Sequence, residues 1–248
     1  MNAHPLGITF PSIRLPVTIC VLAYGPHASL AKRFLTSLYR NTNPRLFSLR
    51  AGLNEAEPAT RELFRDFAGR FNNITVINQE TNIFKSPMMR RLFQEPALDT
   101  RWIIWCDDDT HFTRPDWLHR LAFHIENAPN VAMWGKVYSL YSGNPLVPEW
   151  IKRAEWYRGL PCLRRNNPEG QDAAFFRFAA GAFWALRTEV IRFLNWPDPR
   201  LIHANEDFML GEALRQNQLH LGHFTHGVKV NDETRRNGEA IEAEELRG

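Results

Sequence analysis

Three adjacent aspartates, Asp107, Asp108 and Asp109, follow directly on the apolar run WIIWC at 102–106. Neighbouring carboxylates repel one another, and burying them is costly unless a cation compensates. Side chains alternate along an extended chain, so Asp107 and Asp109 are expected to point into one crevice. Two carboxylates so placed form an all-oxygen site of the kind Mg2+ or Mn2+ takes, often shared with a diphosphate. The alternative for the same residues is a solvated acidic turn with a helix cap. The apolar strand immediately before them favours the metal.

Three other stretches carry residue types able to do chemistry. In ANEDFMLGEAL (204–214), Asn205 reads as an N-cap, with Glu206 and Asp207 in the first helical turn. Acids there complement the helix dipole by about 0.3–1 kcal/mol. One of them can equally serve as a general base for an acceptor hydroxyl. In AAGAFWALR (179–187), Gly181 permits close backbone approach. Phe183 and Trp184 there read either as a flat apolar wall suited to a sugar or base, or as a buried strand. In LGHFTHGVKV (221–230), His223 and His226 can each offer an imidazole to a metal, with His203 near the acid pair. Either histidine can equally be structural.

The elements that must position these groups follow from the hydrophobic pattern. Residues 17–23 are continuously apolar and β-branched, as in a strand buried on both faces. Leu30, Phe34, Leu35 and Leu38 then recur at helical spacing. Strands are expected at 46–53, 74–78 and 102–106, with a helix from Pro58 carrying Leu63, Phe64, Phe67 and Phe71 on one face. A short helix is expected over PMMRRLFQE, and another opens at Pro115, with Trp117, Leu118, Leu121, Ala122 and Ile125 on one side. Strands alternating with helices imply a mostly parallel sheet flanked by helices in a single α/β domain, with ligands at the carboxyl ends of the strands. Residues 132–141 read as a strand. Residues 142–172 show no period and read as a long loop or lid. Residues 177–194 read as a strand or turn leading into a helix, and the chain beyond Asn231 reads as frayed.

Composition narrows the classes. The chain has 248 residues, with 44% hydrophobic and 23% charged, enough for one sizeable core. Its net charge is +3, and the 231–248 stretch holds six acids against three arginines. The body is therefore mildly basic, which suits a polyanionic ligand such as a nucleotide diphosphate, or DNA. Three cysteines without a CxxC pair argue against a disulfide framework and a zinc cluster. The first residues lack the pattern of a signal peptide, and VTICVLAY is too short to cross a bilayer. A soluble, cytoplasmic protein is expected.

Taken in order, VTICVLAYGPHASLAKRFLTSL, WCDDD, AAGAFWALR, NEDFMLGEAL and a later histidine resemble the family 2 nucleotide-sugar glycosyltransferases, which have the GT-A fold. The resemblance covers roughly 16–230. It implies an N-terminal extension at 1–15, a nucleotide-sugar half at 16–130, an acceptor and catalytic half at 131–230, and a polar tail at 231–248. It implies that Ala23, Tyr24 and Gly25 begin the nucleotide pocket and that Asn54 or Glu55 lies near the base. By the same resemblance, Asn82 and Lys85 would line the nucleotide, and Asp107 and Asp108 would face the nucleotide sugar. Asp107 and Asp109 would form the DxD metal pair, completed by His223 or His226. Gly181, Phe183 and Trp184 would shape the acceptor side, and Asp207, beside Glu206, would be the catalytic base.

Relatives usually carry DDGSxD after the second strand, where this chain has AGLNEAEP, and NIFKSPMMRR lacks the usual glycine and ARN. The implied reaction is metal-dependent, inverting transfer of one sugar from a nucleotide-diphosphate sugar, UDP-linked by preference. The implied acceptor is a carbohydrate, lipid or protein, or a hydroxymethylated base in DNA. The last draws on EWIKRAEWYRGLPCLRRNN, where Trp150, Trp156 and Tyr157 alternate with cations, as in nucleic-acid contacts. An amphipathic element packed on the core is the alternative reading there. Haloacid-dehalogenase-like phosphatases, nucleotidyltransferases and non-catalytic binding modules are the rival classes.

Overall fold

In chain order, the computed structural model describes residues 17–142, 149–202 and 206–230. The expected N-terminal extension, the polar tail, Asn205 and His203 lie outside them. The first half alternates as its hydrophobic pattern requires. It runs β1 Val17–Gly25, α1 Ala28–Asn41, β2 Phe47–Ala56, α2 Pro58–Arg70, β3 Ile74–Gln79, α3 Lys85–Gln94 and β4 Trp102–Asp107. A two-residue strand, β5 His111–Phe112, leads to α4 Trp117–Asn127. The second half holds β6 Val131–Ser142, β7 Leu163–Asn166, β8 Asp172–Arg187, α5 Thr188–Leu194, α6 Glu206–Gln216, β9 His220–His223 and β10 Val228–Lys229.

The main sheet has the order β3-β2-β1-β4-β8-β6-β9, with β7 added to β8. Strands β3, β2, β1 and β4 are parallel, whereas β8 runs antiparallel between β4 and β6. Because β1 and β4 pair with Leu22 opposite Asp107, both end at the same edge of the sheet. That edge is where open α/β sheets collect ligands.

Both faces of the sheet are covered. On one face, Cys20 and Trp105 pack with Met88, Met89, Leu92 and Phe93 of α3 and with Trp184. On the other, Ile19, Val21 and Ile104 pack with Phe34, Leu35 and Leu38 of α1 and Trp117 of α4. Each large side chain so buried stabilises the fold by about 1.5–3 kcal/mol. This two-sided burial explains why β1 and β4 read as unbroken apolar runs.

Of the loop expected at 142–172, residues 143–148 lie outside the described residues, and 149–172 depart from a structureless stretch. A 3-10 turn covers Glu149–Arg153, and β7 folds back on the start of β8, with Leu163 opposite Phe175. Every residue of β7 is exposed, so its sequence carries no apolar alternation to announce a strand. Trp156 is buried in the core, with Trp150 and Tyr157 packed against it. That agrees with the reading of this stretch as an element packed on the core, and not with a nucleic-acid stacking surface. The strand and helix expected over 177–194 are β8, which begins earlier at Asp172, and α5. No helix among the described residues is long and apolar enough to cross a membrane.

Candidate active site

Asn54, at the carboxyl end of β2, is a buried organiser. Its Nδ2 donates to Asn82 Oδ1 at 2.8 Å, and its Oδ1 accepts from the Ile83 N–H at 3.0 Å. Asn82 Oδ1 also accepts from the Phe84 N–H at 2.7 Å. These bonds hold the turn in which Phe84 takes a φ of +67°, a conformation unusual outside glycine. The turn delivers Lys85 as the first residue of α3. Asn54 thus holds the turn that precedes Lys85, while Glu55, at a φ of +53° and exposed, lies at the register shift between β1 and β2. Gly25 also has a positive φ, +66°, and its carbonyl accepts from Glu57 N–H at 3.3 Å. Glu57 Oε1 accepts from Ala28 N–H at the start of α1. Ala23 is buried and Tyr24 half-buried beside them.

Lys85 is the hub of the site. Its Nζ lies 2.9 Å from Asp107 Oδ2 and 2.7 Å from Glu206 Oε1. It also donates to the Gly181 carbonyl at 3.3 Å. The other oxygen of Asp107 accepts from Trp105 Nε1 at 3.0 Å. Burial alone would lower the Lys85 pKa, but the Asp107 and Glu206 carboxylates outweigh it and hold the ammonium firmly charged. Sequence reasoning put Lys85 near the nucleotide but gave no sign that it bridges two acids 22 and 121 positions further along.

Gly181 is the close approach that this cluster needs. A Cβ there would stand 3.2 Å from Glu206 Oε1, 3.5 Å from Asp207 Cβ and 3.5 Å from Lys85 Nζ. Gly211 does the same further along α6, where a Cβ would run into the Arg177 carbonyl and Phe178. The two glycines let α6 lie against β8, so its first turn brings Glu206 and Asp207 to Lys85. Asp207 Oδ1 accepts from the Phe208 N–H at 2.7 Å. Burial raises the Asp207 pKa, and the Glu206 charge raises it further. The Phe208 N–H, the Lys85 charge and the Gly181 N–H oppose this without cancelling it.

The other acids differ from expectation in placement. Strand β4 ends at Asp107, and the chain turns there, with Thr110 N–H donating to the Asp107 carbonyl at 3.0 Å. Strand alternation therefore does not extend to Asp109. Asp108 and Asp109 are both buried, and the Asp109 carbonyl accepts from Arg33 Nη2 at 3.3 Å. Phe183 and Trp184 are also inside the core, so they form no exposed wall. Trp184 stacks on Trp105 with centroids 6.1 Å apart, which supports the floor beneath Asp107. Neither Trp105 nor Arg33 was singled out from sequence, since an indole in an apolar run reads as core.

The two histidines have other partners. His223 Nδ1 accepts from the Val137 N–H at 3.3 Å, and His226 Nε2 lies 3.0 Å from Asp116 Oδ1. Among the described residues, no three His, Cys, Asp or Glu side chains are grouped as a metal shell. Thr113 N–H donates to the Gly227 carbonyl, and β10 pairs with β5, which carries His226 toward α4.

The sequence profile described as Glycosyl transferase family 2 matches residues 18–194. A search of curated proteins returns no match. Among solved structures, the chain is similar to mannosyltransferase PcManGT from Pyrobaculum calidifontis, in complex with GDP-Man and Mn2+. The TM-score is 0.67 at 14% identity, over 98% of this chain and 69% of that one. It is also similar to GalNAc-T7 with UDP, GalNAc and Mn2+ (TM-score 0.64, 14% identity, 90% of this chain and 44% of that one). Residues 1–349 of TarS from S. aureus give a TM-score of 0.57 at 13% identity, over 86% of this chain and 58% of that one. The chain thus spans about half the length of the last two. With the profile matching most of the sequence, and the sheet matching these enzymes, the chain belongs to glycosyl transferase family 2 and is a glycosyltransferase with the GT-A fold.

Proposed function

We propose that this enzyme moves one sugar from a nucleoside-diphosphate sugar to an acceptor hydroxyl, inverting the anomeric carbon, with Asp207 as general base. The observation that carries the proposal is the meeting of Lys85, Asp107, Glu206 and Asp207 around Gly181 at the carboxyl edge of the sheet. A donor of this class, GDP-Man, is named with one structural neighbour, and the nucleotide UDP with another, each together with Mn2+.

The acceptor oxygen attacks the anomeric carbon opposite the diphosphate. The bond from that carbon to the diphosphate oxygen breaks, and its electron pair leaves with the diphosphate. Asp207 takes the hydroxyl proton. Its raised pKa suits this role, because a base is more effective when its conjugate acid is not too strong. Lys85 holds Glu206, and so the first turn of α6, in place. Asp107 and Asp109 supply hard oxygen donors that fit Mg2+ or Mn2+ in kind, although both oxygens of Asp107 already have partners. Such a cation would neutralise charge developing on the leaving diphosphate. The DNA-acceptor reading loses its support with Trp156 in the core, and no residue contact favours the phosphatase or nucleotidyltransferase readings.

Calorimetry with UDP, GDP, CDP and dTDP, with and without Mn2+, tests the donor site. Binding of one nucleotide, weakened at least tenfold in Asp109→Ala, is the expected result. If none binds in either condition, the donor site is misassigned.

A further inference from the structure

Asp107 is the residue that the DxD pattern offers to a metal, yet its carboxylate already has a cation. Lys85 Nζ sits on Oδ2 at 2.9 Å, and Trp105 Nε1 occupies Oδ1 at 3.0 Å. The side chains of Lys85, Asp107 and Glu206 are only 15%, 20% and 10% exposed, so water does little to screen this cluster. The backbone beneath Lys85 is fixed, since Ser86 N–H donates to the Ile202 carbonyl and the Asn54–Asn82 bonds hold the preceding turn. The ammonium itself ends a flexible four-carbon stem and can move without its helix. A second anchor, Glu206 Oε1, lies 2.7 Å away, and a third, the Gly181 carbonyl, 3.3 Å away.

We infer that Lys85 is the resident counter-cation of this site, and that a divalent cation reaches Asp107 only when Lys85 withdraws to Glu206. This rests on the donor-site reading above and adds to it an order of events. Lys85 and the cation compete for Asp107 Oδ2, so the free enzyme holds the cation weakly. Glu206 is then a positioning residue that keeps the displaced ammonium paired. Without Lys85, two poorly hydrated carboxylates face each other, and a divalent cation becomes their best remaining partner.

The probe is Mn2+ alone, titrated into the full chain without nucleotide and followed by electron paramagnetic resonance and by thermal unfolding. Lys85→Met is expected to bind Mn2+ at least tenfold more tightly than the wild type. Its lowered Tm should rise with Mn2+ by several degrees more than that of the wild type. Lys85→Arg, which retains a cation, should stay within threefold of wild-type affinity. Equal or weaker Mn2+ binding by folded Lys85→Met overturns the inference. Should Lys85→Met fail to fold, Glu206→Gln decides. Loss of the second anchor should weaken Mn2+ binding at least threefold, and unchanged affinity overturns the inference. Nucleotide calorimetry on the same samples separates the two claims. Nucleotide binding with no competition by Lys85 defeats this inference alone. Competition with no nucleotide binding defeats the donor-site reading alone.

Discussion

At the end of β4, Lys85 joins Asp107 to Glu206. Between α4 and β10, Asp116 joins His226, Arg114 and Arg120. Both clusters place a carboxylate against basic side chains at 2.7–3.5 Å, and both carboxylates are mostly covered, at 20% and 16% exposure. The cations differ. Lys85 is 15% exposed, whereas His226, Arg114 and Arg120 are 35%, 61% and 49% exposed. Covered partners depend on one another, because removing one leaves a charge that water cannot restore. Exposed partners are hydrated either way, so their net contribution is small. A DxD motif and a His motif look alike as metal ligands in sequence, and burial of the partner is what distinguishes them here.

Substitutions can break or sharpen this contrast. The largest effect belongs to the base. Asp207→Asn should lower transfer by about 10³-fold while leaving nucleotide affinity within about threefold, as read by steady-state kinetics beside calorimetry. A transfer rate near wild type removes Asp207 from the role. The same group sets a pH dependence. Its folded-state pKa is raised, so the carboxylate needed as base is lost on acidification at a higher pH than for an ordinary Asp. The acid limb of the rate profile should lie at higher pH than an ordinary Asp would set. The stability sign is opposite, since a raised acid pKa favours the folded state at low pH and loses that contribution as pH rises through it.

Next in size is the buried cluster as a stabilising unit. Lys85→Met should cost about 3 kcal/mol in urea unfolding without metal, because it strands two carboxylates. A cost below about 1 kcal/mol would make this cluster no different from the exposed one. Gly181→Ala should cost about 1–2 kcal/mol and reduce transfer more than tenfold, since its Cβ would crowd Glu206 at 3.2 Å. Full activity in that variant would mean α6 can shift without consequence. The smallest effect is expected at His226→Ala, less than about 1 kcal/mol, with transfer within threefold of wild type. A hundredfold loss would instead support a role for His226 in holding a metal or in transfer. Burial would raise the Asp116 pKa, but the bond and charge of His226, with the bonds from Arg114 and Arg120, lower it on balance. Its contribution is therefore present above the ordinary Asp pKa and is lost as pH falls through the depressed one.

The first half of the fold was readable in sequence because each element carries its own period. The apolar runs at 17–23 and 102–106 became β1 and β4, and Leu30, Phe34, Leu35 and Leu38 became the buried face of α1. The second half was less so. Strand β7 is LRRN, all exposed, and it is a strand only because β8 offers it a ladder. In the site, residues 107, 181, 206 and 207 were each singled out in sequence, and it is the fold that gathers them around Lys85. The wall expected at Phe183 and Trp184 does not form; a buried and an exposed aromatic strand have the same sequence signature.

The sequence by itself determined the alternation of strands and helices, the edge at which they end, and the acids that follow β4 and open α6. These are local properties, set by periodicity and by neighbours within a few residues. Tertiary structure alone decided which charges meet. Lys85, Asp107, Gly181 and Glu206 lie on four elements, and packing of α3 and α6 on the sheet brings them within about 3 Å of Lys85 Nζ. The same packing turns His226 toward Asp116. Charge pairing depends on distance and burial, and neither is fixed by separation along the chain.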